Sequence, residues 1–182
     1  MFMRTQRLFL RPVFPEDWRD IYRGIADYGV ISMLARAPWP YRQEDAQSFC
    51  KDANADGRTR FAITLPDEAG APIIGMIGFE QLDGEAEELG YWIAQTRQGR
   101  GYATEAVRGM IEIAEAFGIE SLEAGHFIDN PASGKVLRKA GFRETGEIHR
   151  TKSTGRGGAE VPTRRFVKWI GMNAQQVRPV AA

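Results

Sequence analysis

The part of this 182-residue chain that most restricts its fold lies in the middle, from Glu88 to Ile128. It opens on the apolar-rich Glu88–Ala94, passes through the glycine-bearing turn Gln98-Gly99-Arg100-Gly101, and continues with Ala103, Ala106, Val107, Met110, Ile111, Ala114 and Phe117. Those apolar positions recur at steps of three and four, the period of a single helix face. Gly118 supplies the left-handed stop common just past a helix end, and Leu122–Ile128 then reads as a second strand. Strand, helix and strand in so short a span form a βαβ crossover, which is right-handed and sets its two strands parallel. An α/β fold with a mixed sheet follows.

The flanking sequence supplies the antiparallel remainder. Arg7–Arg11 reads as a short strand ending at Pro12. Pro15-Glu16-Asp17 opens a helix, its acidic residues placed where the helix dipole favours them, with Trp18, Ile21, Ile25 and Tyr28 at helical spacing. A second helix is expected over Gln43–Ala53. Phe61, Ile63 and Leu65 alternate as a strand, Asp67–Gly70 is a turn, Ile73–Leu82 a strand and Asp83–Glu87 another turn. Asn130 followed by Pro131 combines a capping side chain with the residue best suited to the first helical position. The helix it starts runs to Ala140 and is closed by Gly141. Strands near Phe142–His149 and Arg164–Met172 flank the glycine-rich loop Ser153–Gly158. No repeat or linker interrupts this order, so residues 1–182 read as a single α/β domain with a mixed, mostly antiparallel sheet and flanking helices.

Composition removes several function classes. Lys plus Arg and Asp plus Glu both number 24, so no basic excess favours nucleic acid, whose affinity comes mainly from phosphate neutralisation. One cysteine, Cys50, and two histidines, His126 and His149, make neither a disulfide nor a cysteine/histidine zinc cluster, and no metal is expected. The apolar run near Pro72–Phe79 is far shorter than the ~20 residues a membrane helix needs, and the N-terminus lacks a signal peptide's apolar core. A reduced, cytoplasmic protein without a membrane partner is the expectation.

The glycine turn carries the first chemical signal. A helix N-terminus presents unpaired N–H groups and a partial positive charge, and glycines ahead of it let a ligand approach the main chain. Gln98, Gly99, Arg100, Gly101, Tyr102 and Ala103 provide both features, with Arg97 and Arg100 adding charge, so a phosphate or pyrophosphate suits the place. The Gly-Lys-Ser/Thr ending of a P-loop is missing, and Thr104 breaks the dinucleotide pattern Gly-x-Gly-x-x-Gly. A tight structural turn has the same appearance, and spacing alone does not separate the two.

The wider context does separate them. Gln98, Gly101 and Ala103 match the acetyl-CoA-binding pattern Arg/Gln-x-x-Gly-x-Gly/Ala of the GNAT superfamily of N-acetyltransferases, which this run resembles. Glu88–Val107 and Asn130–Phe142 resemble two further family segments in order, and Thr5–Trp18 resembles the opening of the branch that acetylates ribosomal-protein N-termini. The resemblance implies a GNAT-like fold in which the central parallel strands splay, with acetyl-CoA as cosubstrate. It implies that main-chain groups of Tyr91, Trp92 and Ile93 hold the pantetheine arm and that Gln98–Ala103 cradle the pyrophosphate. Arg97 and Arg100 would face the adenosine phosphates, Asn130 would touch the pantetheine from the other side, and one of Lys135, Arg138 and Lys139 would meet the 3′-phosphate. Ser133 would protonate the departing thiolate, and Glu88 or Glu80 would take the amine proton through water. His126, on a strand beside the cleft, reads as a core residue or a proton relay, and Glu105 as a partner of the helix dipole. Family members often form dimers, so a homodimer is among the expected assemblies.

Acceptor selection is expected from the segment with Met33, Leu34 and Trp39 and from the loop Ser153–Gly158. A protein N-terminal α-amine is the leading acceptor; a polyamine, amino acid or aminoglycoside is the alternative, and a non-catalytic acyl-CoA-binding module is a third reading.

Overall fold

The computed structural model describes residues 1–53, 59–81 and 86–171. Its elements are β1 (Met3–Arg4), β2 (Phe9–Pro12), α1 (Trp18–Ile25), α2 (Tyr28–Ile31), α3 (Gln43–Asp52), β3 (Thr59–Thr64), β4 (Ile73–Gln81), β5 (Glu87–Ile93), α4 (Tyr102–Ala116), β6 (Ser121–Phe127), α5 (Pro131–Lys139), β7 (Arg143–Ser153) and β8 (Ala159–Trp169). The strands form one eight-stranded sheet in the order β1-β2-β3-β4-β5-β6-β8-β7. Every neighbouring pair is antiparallel except β5 and β6, the parallel pair joined through α4.

Helices cover both sheet faces. On one, Val107, Met110 and Ile113 of α4 and Leu137 of α5 bury against Ile63, Ile77, Leu89, Leu122 and Phe166. On the other, Ile21 and Ile25 of α1 and Ala46 and Cys50 of α3 bury against Ala62, Met76 and Trp92. The strand alternation sorts these contacts: Leu89 and Ile93 point to the α4/α5 side, while Trp92 between them points to the α1/α3 side. Fully burying side chains of this size is worth about 1.5–3 kcal/mol each, which fixes the register of the central strands. No helix among the described residues is long and apolar enough to cross a membrane.

Several boundaries differ from the sequence expectation for identifiable reasons. Tyr28 does not extend the face of α1. Ala26 leaves the helix with ψ 53°, and Asp27 restarts the chain as α2 by accepting a hydrogen bond from the Val30 N–H at 3.2 Å. An aspartate that can cap competes with helix continuation, and Tyr28 ends half exposed. Strands β7 and β8 are both longer than expected, pairing from Ser153↔Ala159 down to Arg143↔Val167, so the Ser153–Gly158 loop is the tip of a hairpin. The expected turn from Asp83 and the strand ends Leu82 and Met172 fall wholly or partly on residues 82–85 and 172–182, outside the described residues.

Candidate active site

The two parallel strands diverge at the centre of the sheet. β5 pairs with β4 along its whole length, to Gly75↔Ile93, and β6 pairs with β8 through Phe127↔Thr163. Between β5 and β6 the ladder covers only Glu87↔Leu122, Glu88↔Glu123 and Leu89↔Ala124. Held on their outer sides and released on their inner sides, the strands open into a wedge beyond Leu89.

Strand alternation decides which main-chain groups face that wedge. The Ala94 N–H donates to the Ile74 carbonyl at 2.8 Å, and the Trp92 carbonyl lies so close to β4 that a Cβ on Gly75 would sit 2.2 Å from it. Even-numbered residues of β5 therefore direct their main chain at β4, and Tyr91 and Ile93 direct theirs at the wedge. Gln98 Nε2 donates to the Ile93 carbonyl at 2.9 Å, which leaves the Tyr91 N–H and carbonyl and the Ile93 N–H aimed into the opening. This corrects the expectation for Trp92. Its main chain belongs to the β4 ladder, and its ring packs under α1, 3.1 Å from where a Cβ on Gly24 would stand.

The glycine turn sits at the wide end of the wedge. Gly99 and Gly101 have φ of 76° and 82°, the left-handed region that glycine tolerates, and a Cβ on Gly99 would meet nothing within 4 Å. Gly101 is the N-cap of α4 and has no side chain to bond the first-turn N–H groups at Tyr102 and Ala103. Glu105 does more than complement the dipole. Its carboxylate accepts from Thr5 Oγ1 at 2.6 Å, from the Arg7 N–H at 2.7 Å and from Arg7 Nε at 2.7 Å, while Arg7 Nη1 donates to the Arg100 carbonyl at 3.0 Å. Burial raises the Glu105 pKa, and these hydrogen bonds outweigh it, so the carboxyl lies below its usual range. Arg7 also stacks over the Tyr102 ring at 4.7 Å. Arg97 is engaged with Glu68 at 2.8 and 2.9 Å, whereas the Arg100 side chain is exposed.

The N-terminus of α5 lies on the same side of the sheet. Asn130 Oδ1 accepts from the Ser133 N–H at 3.3 Å, closing that helix with its own cap. The Ser133 hydroxyl lies 2.8 Å from the Tyr91 hydroxyl, a pairing of β5 with α5 that sequence reasoning did not find. His126 is buried beneath α5, its Nδ1 at 2.8 Å from the Phe127 carbonyl and its ring against Gly134 and Phe166. Its Nε2 is buried without a hydrogen-bond partner among the described residues. Arg138 pairs with Glu144, and Lys135 and Lys139 are exposed.

Glu80 and Glu88 stand opposite each other on β4 and β5, on the α1/α3 face. Both are in ion pairs. Glu88 meets Arg165 at 2.5 Å, and Arg165 reaches Glu123 on β6 at 2.8 Å; Glu80 meets Arg36 and, at 3.3 Å, Arg60. Glu87 beside them went unremarked in the sequence. Its pKa is raised by burial and by the charge of Glu80, and its Oε2 is buried without a hydrogen-bond partner among the described residues. Cys50 is buried, its thiol pushed up by that burial to about 11, which removes it as a nucleophile.

A wedge with free main-chain groups, leading to a glycine turn and an uncapped helix N-terminus, fits an extended acyl-pantetheine ending in a pyrophosphate. The comparisons agree with that fit. The family description "Acetyltransferase (GNAT) domain" matches residues 7–143. YoaA of Bacillus subtilis (strain 168), an uncharacterized N-acetyltransferase, is 32% identical over 159 residues, covering 80% of this chain and 85% of its own. The ribosomal-protein-serine acetyltransferase of Escherichia coli (strain K12) is 29% identical over 85 residues, 45% of each chain. Among solved structures, a GNAT-family acetyltransferase from Bacillus anthracis superposes with a TM-score of 0.79 at 21% identity, covering 93% of this chain and 98% of its own. The microcin C7 self-immunity acetyltransferase MccE, in complex with acetyl-CoA and AMP, superposes with a TM-score of 0.75 at 20% identity, covering 91% and 93%. The chain belongs to the GNAT family and is an N-acetyltransferase that uses acetyl-CoA as its acetyl donor.

Proposed function

We propose that this enzyme acetylates the α-amine at the N-terminus of a protein or peptide. The observation that carries this reading is the charge balance on the α1/α3 face of the sheet, which we take as the acceptor side of the wedge. Among the described residues there, Glu80, Glu88, Glu123 and Asp129 are each matched by a guanidinium, from Arg36, Arg60, Arg165 and Arg156. A polycation such as an aminoglycoside or polyamine would have to displace those arginines to find its counter-charges. A single amine on an otherwise neutral chain would not. The partial likeness to the E. coli ribosomal-protein-serine acetyltransferase supports the same choice.

The acceptor side is bounded by two segments that dock on each other. Ser153 Oγ donates to the Leu34 carbonyl at 2.9 Å, the Thr154 N–H to the Ala35 carbonyl at 2.8 Å, and Arg156 Nε to the Ser32 carbonyl at 2.6 Å. A chain end entering between this wall and the β5 strand would meet the wedge end-on.

Tyr91 and Ile93 hold the pantetheine through their main chain, and Gln98–Ala103 with the α4 N-terminus hold the pyrophosphate. Asn130, whose cap is already made, borders the arm from α5. Bound acetyl-CoA supplies an activated acyl carbon. The Tyr91 N–H, turned into the wedge, serves as an oxyanion donor for the acyl oxygen. The acceptor amine gives up a proton to water, which Glu88 or Glu80 would order, as its nitrogen adds to the acyl carbon and forms the new C–N bond. Ser133 gives its hydroxyl proton to the leaving sulfur as the C–S bond breaks with the electron pair on sulfur, and the serine recovers a proton from solvent.

The test is a panel of acceptors with acetyl-CoA, followed by CoA release: peptides beginning in Ser or Ala beside spermidine and an aminoglycoside. Turnover of the peptides is expected. Turnover of the polycations with none of the peptides would overturn the acceptor assignment while leaving the donor side intact.

A further inference from the structure

We propose that Tyr91 is a positioning residue for Ser133, its hydroxyl donating to Ser133 Oγ so that the serine proton points into the wedge. This rests on the reading of Ser133 as the group that protonates the leaving thiolate. Tyr91 Oη lies 2.8 Å from Ser133 Oγ and 3.3 Å from the Ser133 carbonyl. A phenol carries one proton and can give it to only one of these acceptors. If it goes to the carbonyl, the serine proton must fill the 2.8 Å contact and is spent on the tyrosine. If it goes to Oγ, the serine proton is released toward the opening.

A thiolate in the wedge selects the second arrangement, because sulfur there only accepts. The chain Tyr91 to Ser133 to sulfur then uses each proton once. The donation also makes the serine a better acid, since a hydrogen bond to a developing alkoxide favours the charged form. Burial pushes the Tyr91 phenol up to about 12, against the smaller opposing effect of its contact with Ser133, so it remains a protonated donor at neutral pH.

The backbone makes the arrangement specific to this residue. The Tyr91 main chain faces the wedge, while its ring packs with the α4/α5 core and reaches α5. Ser133 is in turn fixed by the Asn130 cap on its own N–H. Strand and helix are thus joined through the hydroxyl proposed to act on the sulfur, across 42 residues of sequence.

The test needs no acceptor, because the product CoA carries the thiol. The pKa of enzyme-bound CoA is titrated by ultraviolet thiolate absorbance for the wild type, Ser133→Ala, Tyr91→Phe and the double variant, with CoA affinity measured in parallel. Loss of the serine donor should raise the bound thiol pKa by about one pH unit, the size of a hydrogen bond to a charged group. Tyr91→Phe should raise it by less in the same direction, and should add nothing in the Ser133→Ala background. CoA affinity measured with the thiol protonated separates any change in binding from the change in thiol pKa. No shift for Ser133→Ala would remove the serine reading and the tyrosine's role with it. A shift for Ser133→Ala with none for Tyr91→Phe would overturn the tyrosine proposal alone. A Tyr91→Phe shift that persists without the serine hydroxyl would overturn it as well, since the tyrosine would then act on its own.

Discussion

Two helices, α4 and α5, begin beside the same wedge and are built in opposite ways at their N-termini. α5 closes on itself: Asn130 accepts from the Ser133 N–H and Pro131 brings no N–H to satisfy. α4 starts at Gly101, which has no side chain to offer, so its first-turn N–H groups stay available. What holds α4 in place comes from outside, through Thr5 and Arg7 on Glu105 and Arg7 on the Arg100 carbonyl. The difference separates two kinds of site. On the proposed reading the α4 main chain holds the pyrophosphate, which a self-capped helix could not do; at α5 the Ser133 N–H is already capped and the proposed role falls to a side chain.

That contrast is open to direct attack, and the largest effect is expected at α5. Ser133→Ala removes a hydroxyl and leaves the cap intact, so turnover should fall about a hundredfold, the low end for loss of a proton donor. The KM for acetyl-CoA should hardly move. Parallel losses in kcat and cofactor affinity would mean that residue 133 holds the donor instead. At α4 the expectation reverses. Gly101→Trp should weaken acetyl-CoA binding about tenfold or more, removing ~1.4 kcal/mol of ligand stabilisation from a thermal-shift assay. Any side chain at φ 82° also costs about 1–2 kcal/mol, and Gly101→Ala measures that strain without the bulk. If both variants retain the full acetyl-CoA shift, the open N-terminus is not the pyrophosphate site.

The open N-terminus was legible in the sequence and its brace was not. Gly99, Gly101 and the apolar period from Ala103 to Phe117 are local, and local pattern is what a sequence displays. The same holds for Asn130-Pro131 and for the parallel strands, which follow from chain order and handedness. The long-range pairings lay out of reach. Glu105 meets Thr5 and Arg7 across about a hundred residues, and Tyr91 meets Ser133 across 42. The sequence offers Glu80 and Glu88 as proton acceptors, because nothing near them announces Arg36, Arg60 or Arg165. The direction of the Trp92 main chain lay out of reach for another reason: the ladder parity of β5 is set by its register with β4, which a single strand does not reveal. Asp27 is a capping residue in the sequence itself, and its cap is what ends α1 before Tyr28.

The smaller effects concern what holds each helix end together. Asn130→Ala should cost about 1 kcal/mol, the usual worth of an N-cap, and lower Tm by about 2–4 °C in a chain of this size. The acetyl-CoA shift should survive, because α5 needs its cap only to place Ser133. Loss of that shift would show that Asn130 contacts the cofactor directly.

Breaking the brace of α4 should cost least under ordinary conditions and should depend on pH. Glu105 is the ionised partner of Arg7, but the Arg7 side chain is 44% exposed, so the pair is worth no more than about 0.5–1 kcal/mol. Because the folded state holds its pKa below the usual carboxylate range, the contribution is complete above the unfolded value of about 4.3. It is lost as pH falls through the depressed folded value, since the unfolded chain takes up the proton first. Glu105→Gln should therefore lower Tm near neutral pH, and the gap from the wild type should close as the solution is acidified below about pH 4.3. A gap that stays constant into acid would mean that Glu105 holds Thr5 and Arg7 by packing and neutral hydrogen bonds. The first turn of α4 would then be braced by shape and not by charge.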